Sequence, residues 1–250
     1  MRRLLAALLF IYLLTLSTVV YPQVKVGGTA KIGGTVKASV SAGGSSEVDF
    51  VTDTFTESGS SAVDLNTHTG ELGATWTHSP HANYTANLNL DQSTDRIFSI
   101  NTSAYYASGT PPSADYCSEA VVFVASVISV NVSVTVRMDT TADTMYIFRL
   151  NSGTSWDVRR IVAGSQTTLP AATTSTSNLP GVGETRTMKL CISGGATPTL
   201  AAYVDGVQLS SLGGLDGSPI TATGKAGVRF SGAQTTTTGF HFNSFRAFTP

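Results

Sequence analysis

The chain has 250 residues, a charged fraction of 12%, a hydrophobic fraction of 41% and a formal net charge of −1. So little charge, with many Thr, Ser, Val and Gly and few Glu and Lys, excludes a charge-laced helical protein and fits a β-rich exported one. From residue 49 onward 10 Lys and Arg face 15 Asp and Glu, a balance of −5. An acidic domain without a basic stripe excludes nucleic acid as the partner, because phosphate binding needs clustered Lys and Arg.

Residues 1–3 are a basic start and residues 4–16 (LLAALLFIYLLTL) an uncharged apolar run. This is the pattern of a secretory signal. The uncharged run reaches Tyr21, short for a spanning helix, so residues 1–22 read as a signal peptide or an N-terminal anchor. Membrane contact is expected only through this segment, if it is not cleaved. Residues 25–42 divide into three hexads, KVGGTA, KIGGTV and KASVSA. Six residues cannot enclose a core, so residues 23–48 read as a Gly-rich linker. A short strand-adding segment is the alternative, since Val, Ile and Thr alternate there.

The folded domain spans 49–250. Val48, Phe50, Val51 and Phe55 mark a first strand, followed by a turn-rich stretch that ends on Trp76. Leu88, Leu90, Ile97 and Phe98 belong to two short strands, and Pro111 and Pro112 make a loop. Residues 116–125 are more continuously apolar, as in a strand covered on both sides. Residues 130–137 alternate: Val130, Val132, Val134 and Val136 against Asn131, Ser133, Thr135 and Arg137. Period two means one buried and one wet face. Strands at 145–150 and 156–163 continue an antiparallel meander. After a polar connection at 167–183, residues 187–193 and 199–204 pair, and Asp205-Gly206 is a hairpin turn. Residues 213–224 read as an irregular loop. The last strands are 225–230 and 240–248, with an irregularity near Phe245.

Several segments in this order resemble the laminin-G-like members of the concanavalin A-like lectin and glucanase superfamily. They are Asp53-Thr54-Phe55, Leu72 to Thr77, Tyr105-Tyr106 before the Pro-rich loop, Val136-Arg137-Met138, Tyr146-Ile147-Phe148, Ala202 to Gly206 and the closing 224–248. The resemblance covers about 200 residues. It implies a two-sheet antiparallel jelly-roll sandwich, in agreement with the alternation.

The resemblance has further consequences. Cys117 and Cys191 are the only cysteines. An oxidising compartment favours their pairing, and relatives such as the pentraxins join the corresponding strands. Closing that loop contributes about 4 kcal/mol in the loop-closure model. No cofactor is required, but many such jelly rolls hold a structural Ca²⁺, and Asp53 matches a common ligand position. Asn243 stands where an Asp is common. The glycosidases of the superfamily carry a Glu-x-Asp-x-x-Glu strand; Glu119, the nearest candidate here, is followed by Val121 and Phe123 at those spacings. His78 and His81 form an H-x-x-H within a loop, a weak metal signal.

The expectation is therefore an exported, non-catalytic module that recognises carbohydrate or another extracellular surface component. A structural or adhesive surface protein is the alternative, and a divergent glycoside hydrolase the second. Arg137, Arg149 and Arg160, with Tyr106 and an exposed Trp156, are the candidate ligand-binding residues, because sugar sites combine aromatic faces with planar polar groups.

Overall fold

The computed structural model describes residues 46–250. The segment read as signal or anchor, and nearly all of the hexad linker, lie outside the described residues.

In chain order the strands are β1 (Val48–Asp53), β2 (Ala62–Asp64), β3 (Trp76–His78), β4 (Leu88–Asp91), β5 (Arg96–Ser99), β6 (Ser103–Ala107), β7 (Tyr116–Val124) and β8 (Asn131–Met138). They continue as β9 (Met145–Asn151), β10 (Ser155–Val162), β11 (Ser165–Thr168), β12 (Thr185–Ser193), β13 (Thr199–Val204), β14 (Val207–Leu215), β15 (Lys225–Ser231) and β16 (Phe240–Thr249). A nine-stranded sheet runs β14-β13-β12-β7-β16-β5-β4-β2, with β1 also on β16. A seven-stranded sheet runs β11-β10-β9-β8-β15-β6-β3. Every strand pair is antiparallel. This is the jelly-roll sandwich that the alternation and the resemblance imply.

The core lies between the sheets and is built by period-two patterns facing each other. Val132, Val134 and Val136 of β8, Phe148 and Leu150 of β9, and Val228 and Phe230 of β15 point inward and are fully buried. From the other sheet come Val122 and Val124 of β7, Met188 and Leu190 of β12, and Phe242 and Phe245 of β16. Phe242 and Phe245 are three apart yet share the core. A bulge between Phe242 and Ser244 shifts the phase, at the irregularity expected near Phe245.

Three expectations need correcting. β7 is not covered on both sides: Val121 and Phe123 point outward and are half-buried, with the Arg96 guanidinium 3.7 Å from the Phe123 ring centroid. Residues 207–215, poor in strand formers and containing Gly213-Gly214, form β14. They extend by backbone pairing with β13 across a register shift. The connection at 167–183 starts inside a short strand, β11, paired to β10.

Cys117 and Cys191 are direct cross-strand partners on β7 and β12 and form a disulfide with S–S 2.04 Å.

Candidate functional site

The outer face of the seven-stranded sheet is where the polar halves of the alternating strands come together. Inward valines on β8 force Asn131, Ser133 and Thr135 outward, and the register extends each into a row across the sheet. The central row reads Ala104, Arg229, Ser133, Arg149 and Asp157 on β6, β15, β8, β9 and β10. On one side of it lies Ser231, Asn131, Asn151 and Ser155. On the other lies Tyr106, Gly227, Thr135, Ile147 and Arg159.

The face is divided. Toward Ile147 it is apolar and closed. Tyr84, from the loop after β3, packs with Ala104, Met138, Met145, Ile147 and Ile161 in a second buried cluster, and Tyr106 lies half-buried against it. The Tyr84 hydroxyl donates to Asp143 Oδ1 and accepts from Arg229 Nε at 3.3 Å; Asn83 Nδ2 donates to Asp143 Oδ2 at 2.8 Å. Burial raises the Tyr84 phenol well above its ordinary value, so it remains a neutral hydroxyl in that chain of bonds. Toward Asn131 the face is polar, and Asn131, Asn151 and Ser231 are half-buried.

Arg149 and Asp157 form a two-pronged pair, Nε to Oδ1 at 2.9 Å and Nη2 to Oδ2 at 2.5 Å. Arg159 approaches Asp157 Oδ2 as well, at 3.1 Å from Nη2. One carboxylate thus serves two guanidinium groups. Ser133 Oγ is buried between Arg149 and Arg229 and has no hydrogen-bond partner among the described residues.

Of the residues expected to bind ligand, Arg149 and Tyr106 lie on this face. Arg137 does not. A register shift between Lys225 and Gly227 and a φ of +50° at Arg137 turn it out of the row. Its guanidinium is buried in a loop junction and donates to the carbonyls of Ile220 (2.6 Å), Gly195 (3.2 Å), Ala114 (3.2 Å) and Gly194 (3.3 Å). Gly224, at φ +60°, packs so closely that a Cβ there would lie 2.4 Å from the Arg137 carbonyl carbon. Trp156 is fully buried, not exposed. It shares the phase of Val158, stacks on Phe148 at 5.3 Å and donates Nε1–H to Ser177 O at 2.9 Å. Arg160 also belongs to the inward phase. It donates to Asp216 Oδ1 at 2.7 Å and to Ser218 O, while Ser218 N–H donates to Asp216 Oδ1 at 2.9 Å and Tyr146 to Asp216 Oδ2 at 2.8 Å. Burial works against the Asp216 charge, but these donors together hold its carboxyl below the usual range.

Asp53 is buried and its oxygens are engaged by protein donors. Oδ1 accepts from Phe55 N at 2.7 Å and is 2.9 Å from His68 Nε2; Oδ2 accepts from Trp76 Nε1 at 2.5 Å. A cation there would have to displace these donors, so the residues present do not fit the calcium site that the resemblance implies. His78 lies edge-on to Tyr105, and among the described residues no group of three or more His, Cys, Asp or Glu could hold a metal.

A groove of about 230 Å³ on the nine-stranded sheet is lined by Thr52, Thr54, Glu119, Val121 and Arg246. Its charges satisfy one another. Arg246 donates from Nε to Glu119 at 2.8 Å, lies 2.9 Å from Glu47 and stacks 4.1 Å above the Phe248 ring. Glu119 is therefore a hydrogen-bonded strand residue.

No family model matches the sequence. No curated protein sequence matches it either. Solved structures do. An endo-acting O-glycanase from the human gut microbiota, described as initiating mucin breakdown, is 8% identical, with a TM-score of 0.50 over 81% of this chain and 100% of its own. The carbohydrate-binding module CBM66 of Bacillus subtilis is 13% identical, TM-score 0.47, over 70% of this chain and 92% of its own. The β-glucanase of Bacillus licheniformis is 12% identical, TM-score 0.44, over 77% and 99%. What is shared is the two-sheet antiparallel jelly roll. At these identities the likeness is one of fold, and chemistry has to be argued from the side chains.

Arg229, Ser133, Asn151 and Asp157 were not among the expected residues. The alternation of Val228, Arg229 and Phe230 was the available signal for Arg229.

Proposed function

We propose that the domain is an exported, non-catalytic carbohydrate-binding module whose ligand lies across the polar half of the outer face of the seven-stranded sheet. The observation that carries this reading is the in-register row Ser231, Asn131, Asn151 and Ser155 beside Ser133 and Arg149. Adjacent strands stand about 4.8 Å apart, so the row presents its polar groups at a regular spacing along which an extended ligand can lie. Amides and hydroxyls both donate and accept, as sugar hydroxyls require. The rigid strand scaffold limits the entropy lost on binding. Export is supported by the N-terminal apolar run and by the disulfide.

A glycan array with the wild type and Asn131→Ala/Asn151→Ala tests the reading. Binding by the wild type, weakened about tenfold or more in the double variant at unchanged melting temperature, is the expected result, equivalent to losing two hydrogen bonds. Absence of glycan binding, or binding untouched by the double variant, rejects it. Exposed Val207 and Leu215 on the edge strand β14 favour a second reading, protein–protein contact through that edge. A concentration-dependent dimer abolished by Leu215→Lys would support it.

A further inference from the structure

We infer that Arg229, Ser133 and Arg149 form a subsite for an oxyanion, the carboxylate or sulfate group of an acidic sugar. This rests on the carbohydrate reading of the same face and adds its chemical class.

The three residues are direct cross-strand neighbours on β15, β8 and β9, so two long cationic side chains flank one short hydroxyl side chain. Side chains directly opposite one another in an antiparallel pair start about 5 Å apart, which places both guanidinium groups within reach of a small group resting on Ser133. Three observations point to an anion there.

First, Arg229 is buried, with 7% of its surface exposed, and has no carboxylate within salt-bridge distance among the described residues; residues 1–45 contain no Asp or Glu. Its neighbour is the neutral Tyr84 hydroxyl, on Nε, which leaves the two Nη groups. A buried guanidinium normally has a carboxylate or several carbonyls around it. Second, the nearest acid on the row, Asp157, is already shared between Arg149 and Arg159, and Arg149 Nη1 donates to no group among the described residues. The other nearby carboxylate, Asp143, is engaged by Tyr84 and Asn83. Three arginines (Arg149, Arg159 and Arg229) against two carboxylates (Asp157 and Asp143) leave a local excess of positive charge on a domain that is acidic overall. Third, the buried Ser133 Oγ between the two arginines has no partner among the described residues, and a buried hydroxyl without one is costly.

An oxyanion resolves all three together. It accepts from the free Arg229 and Arg149 N–H groups and from the Ser133 hydroxyl, and it balances the charge. A neutral sugar ring gives Arg229 no counter-charge.

The test measures affinity for matched oligosaccharides that carry a uronic acid, a sulfate or neither, with the wild type, Arg229→Gln and Ser133→Ala. The wild type is expected to prefer one of the acidic forms, and Arg229→Gln to lower that affinity about tenfold or more, as loss of a charge-assisted contact does. Ser133→Ala should lower it less. The uronic and sulfated arms separate the two anions. Carboxyl reduction or desulfation of the ligand repeats the test on the wild type, should Arg229→Gln not fold. Binding of neutral and acidic forms with equal affinity, or acidic-glycan affinity unchanged in Arg229→Gln, overturns the subsite. If neutral glycans alone bind and depend on Asn131 and Asn151, the subsite fails while the sugar-binding face stands. If none binds, both fail.

Discussion

Arg137 and Arg229 sit on paired strands, are buried and are each flanked by apolar core residues, yet their surroundings differ in kind. Arg137 is turned by a bulge into a loop junction, where four backbone carbonyls accept its donors. Arg229 keeps the regular outward phase of β15, and among the described residues its one side-chain hydrogen-bond partner is a phenol. At Arg137 the fold consumes both Nη groups and leaves only the buried Nε without a partner among the described residues, so this cation is part of the scaffold. One left with donors to spare, beside a hydroxyl that also lacks a partner, has capacity for a ligand. The groove around Arg246 belongs with the first kind, since Glu119 and Glu47 close its charges.

This contrast can be broken by mutation. The largest effect is expected at Arg137. Arg137→Met strips four carbonyls of their donor and should destabilise the domain by about 3–5 kcal/mol in urea denaturation. The folded fraction should still bind glycan. A loss below about 1 kcal/mol would show that the loop junction does not depend on it. Asp157→Asn comes next. It leaves Arg149 and Arg159 without their shared carboxylate and should cost about 3 kcal/mol. Because it also adds to the positive excess on the row, it should tighten an acidic ligand while weakening the fold. Parallel losses in stability and affinity would contradict the assignment.

His68 gives a pH-dependent comparison. Its hydrogen bond to Asp53 raises its ionisation above the ordinary value, burial opposes this, and Glu57 at 3.4 Å adds to the rise. Protonated His68 therefore stabilises the folded state. That contribution is complete below about pH 6.5, the unfolded value, and is lost as pH rises through the higher folded value. Melting temperatures of wild type and His68→Gln should converge as pH increases through that window. A gap that widens with pH would reverse the sign and refute the pairing. The smallest effect is expected at Ser133. Ser133→Ala removes an unpaired buried hydroxyl and should leave stability unchanged or raise it by up to about 1 kcal/mol.

The strand pattern was legible where period two is unbroken. Val132, Val134 and Val136 point inward, and Asn131, Ser133 and Thr135 outward, as their alternation demands, but the outward face is not the wet one expected: Ser133 and Thr135 are buried and only Asn131 is partly exposed. It failed where the backbone departs from that period. Arg137 continues the alternation in sequence, but the bulge opposite Ala226 rotates it out of the row. Trp156 was misplaced for another reason: its polar neighbours suggested exposure, whereas its phase with Val158 decides its side. β14 was invisible because its extended form comes from pairing with β13. The site itself depends on which strands are neighbours. The meander placed residues 145–151 beside β8, as found, but nothing local in residues 225–231 indicates that they flank β8 on its other side and set Arg229 opposite Ser133.

The most direct test of a ligand site on this face is amide chemical-shift mapping by NMR, with the tightest-binding glycan from the array titrated into the ¹⁵N-labelled domain. The account predicts that the largest shifts fall on Asn131, Ser133, Arg149, Asn151 and Arg229. Shifts concentrated on Thr52, Glu119 and Arg246 of the nine-stranded sheet would contradict it.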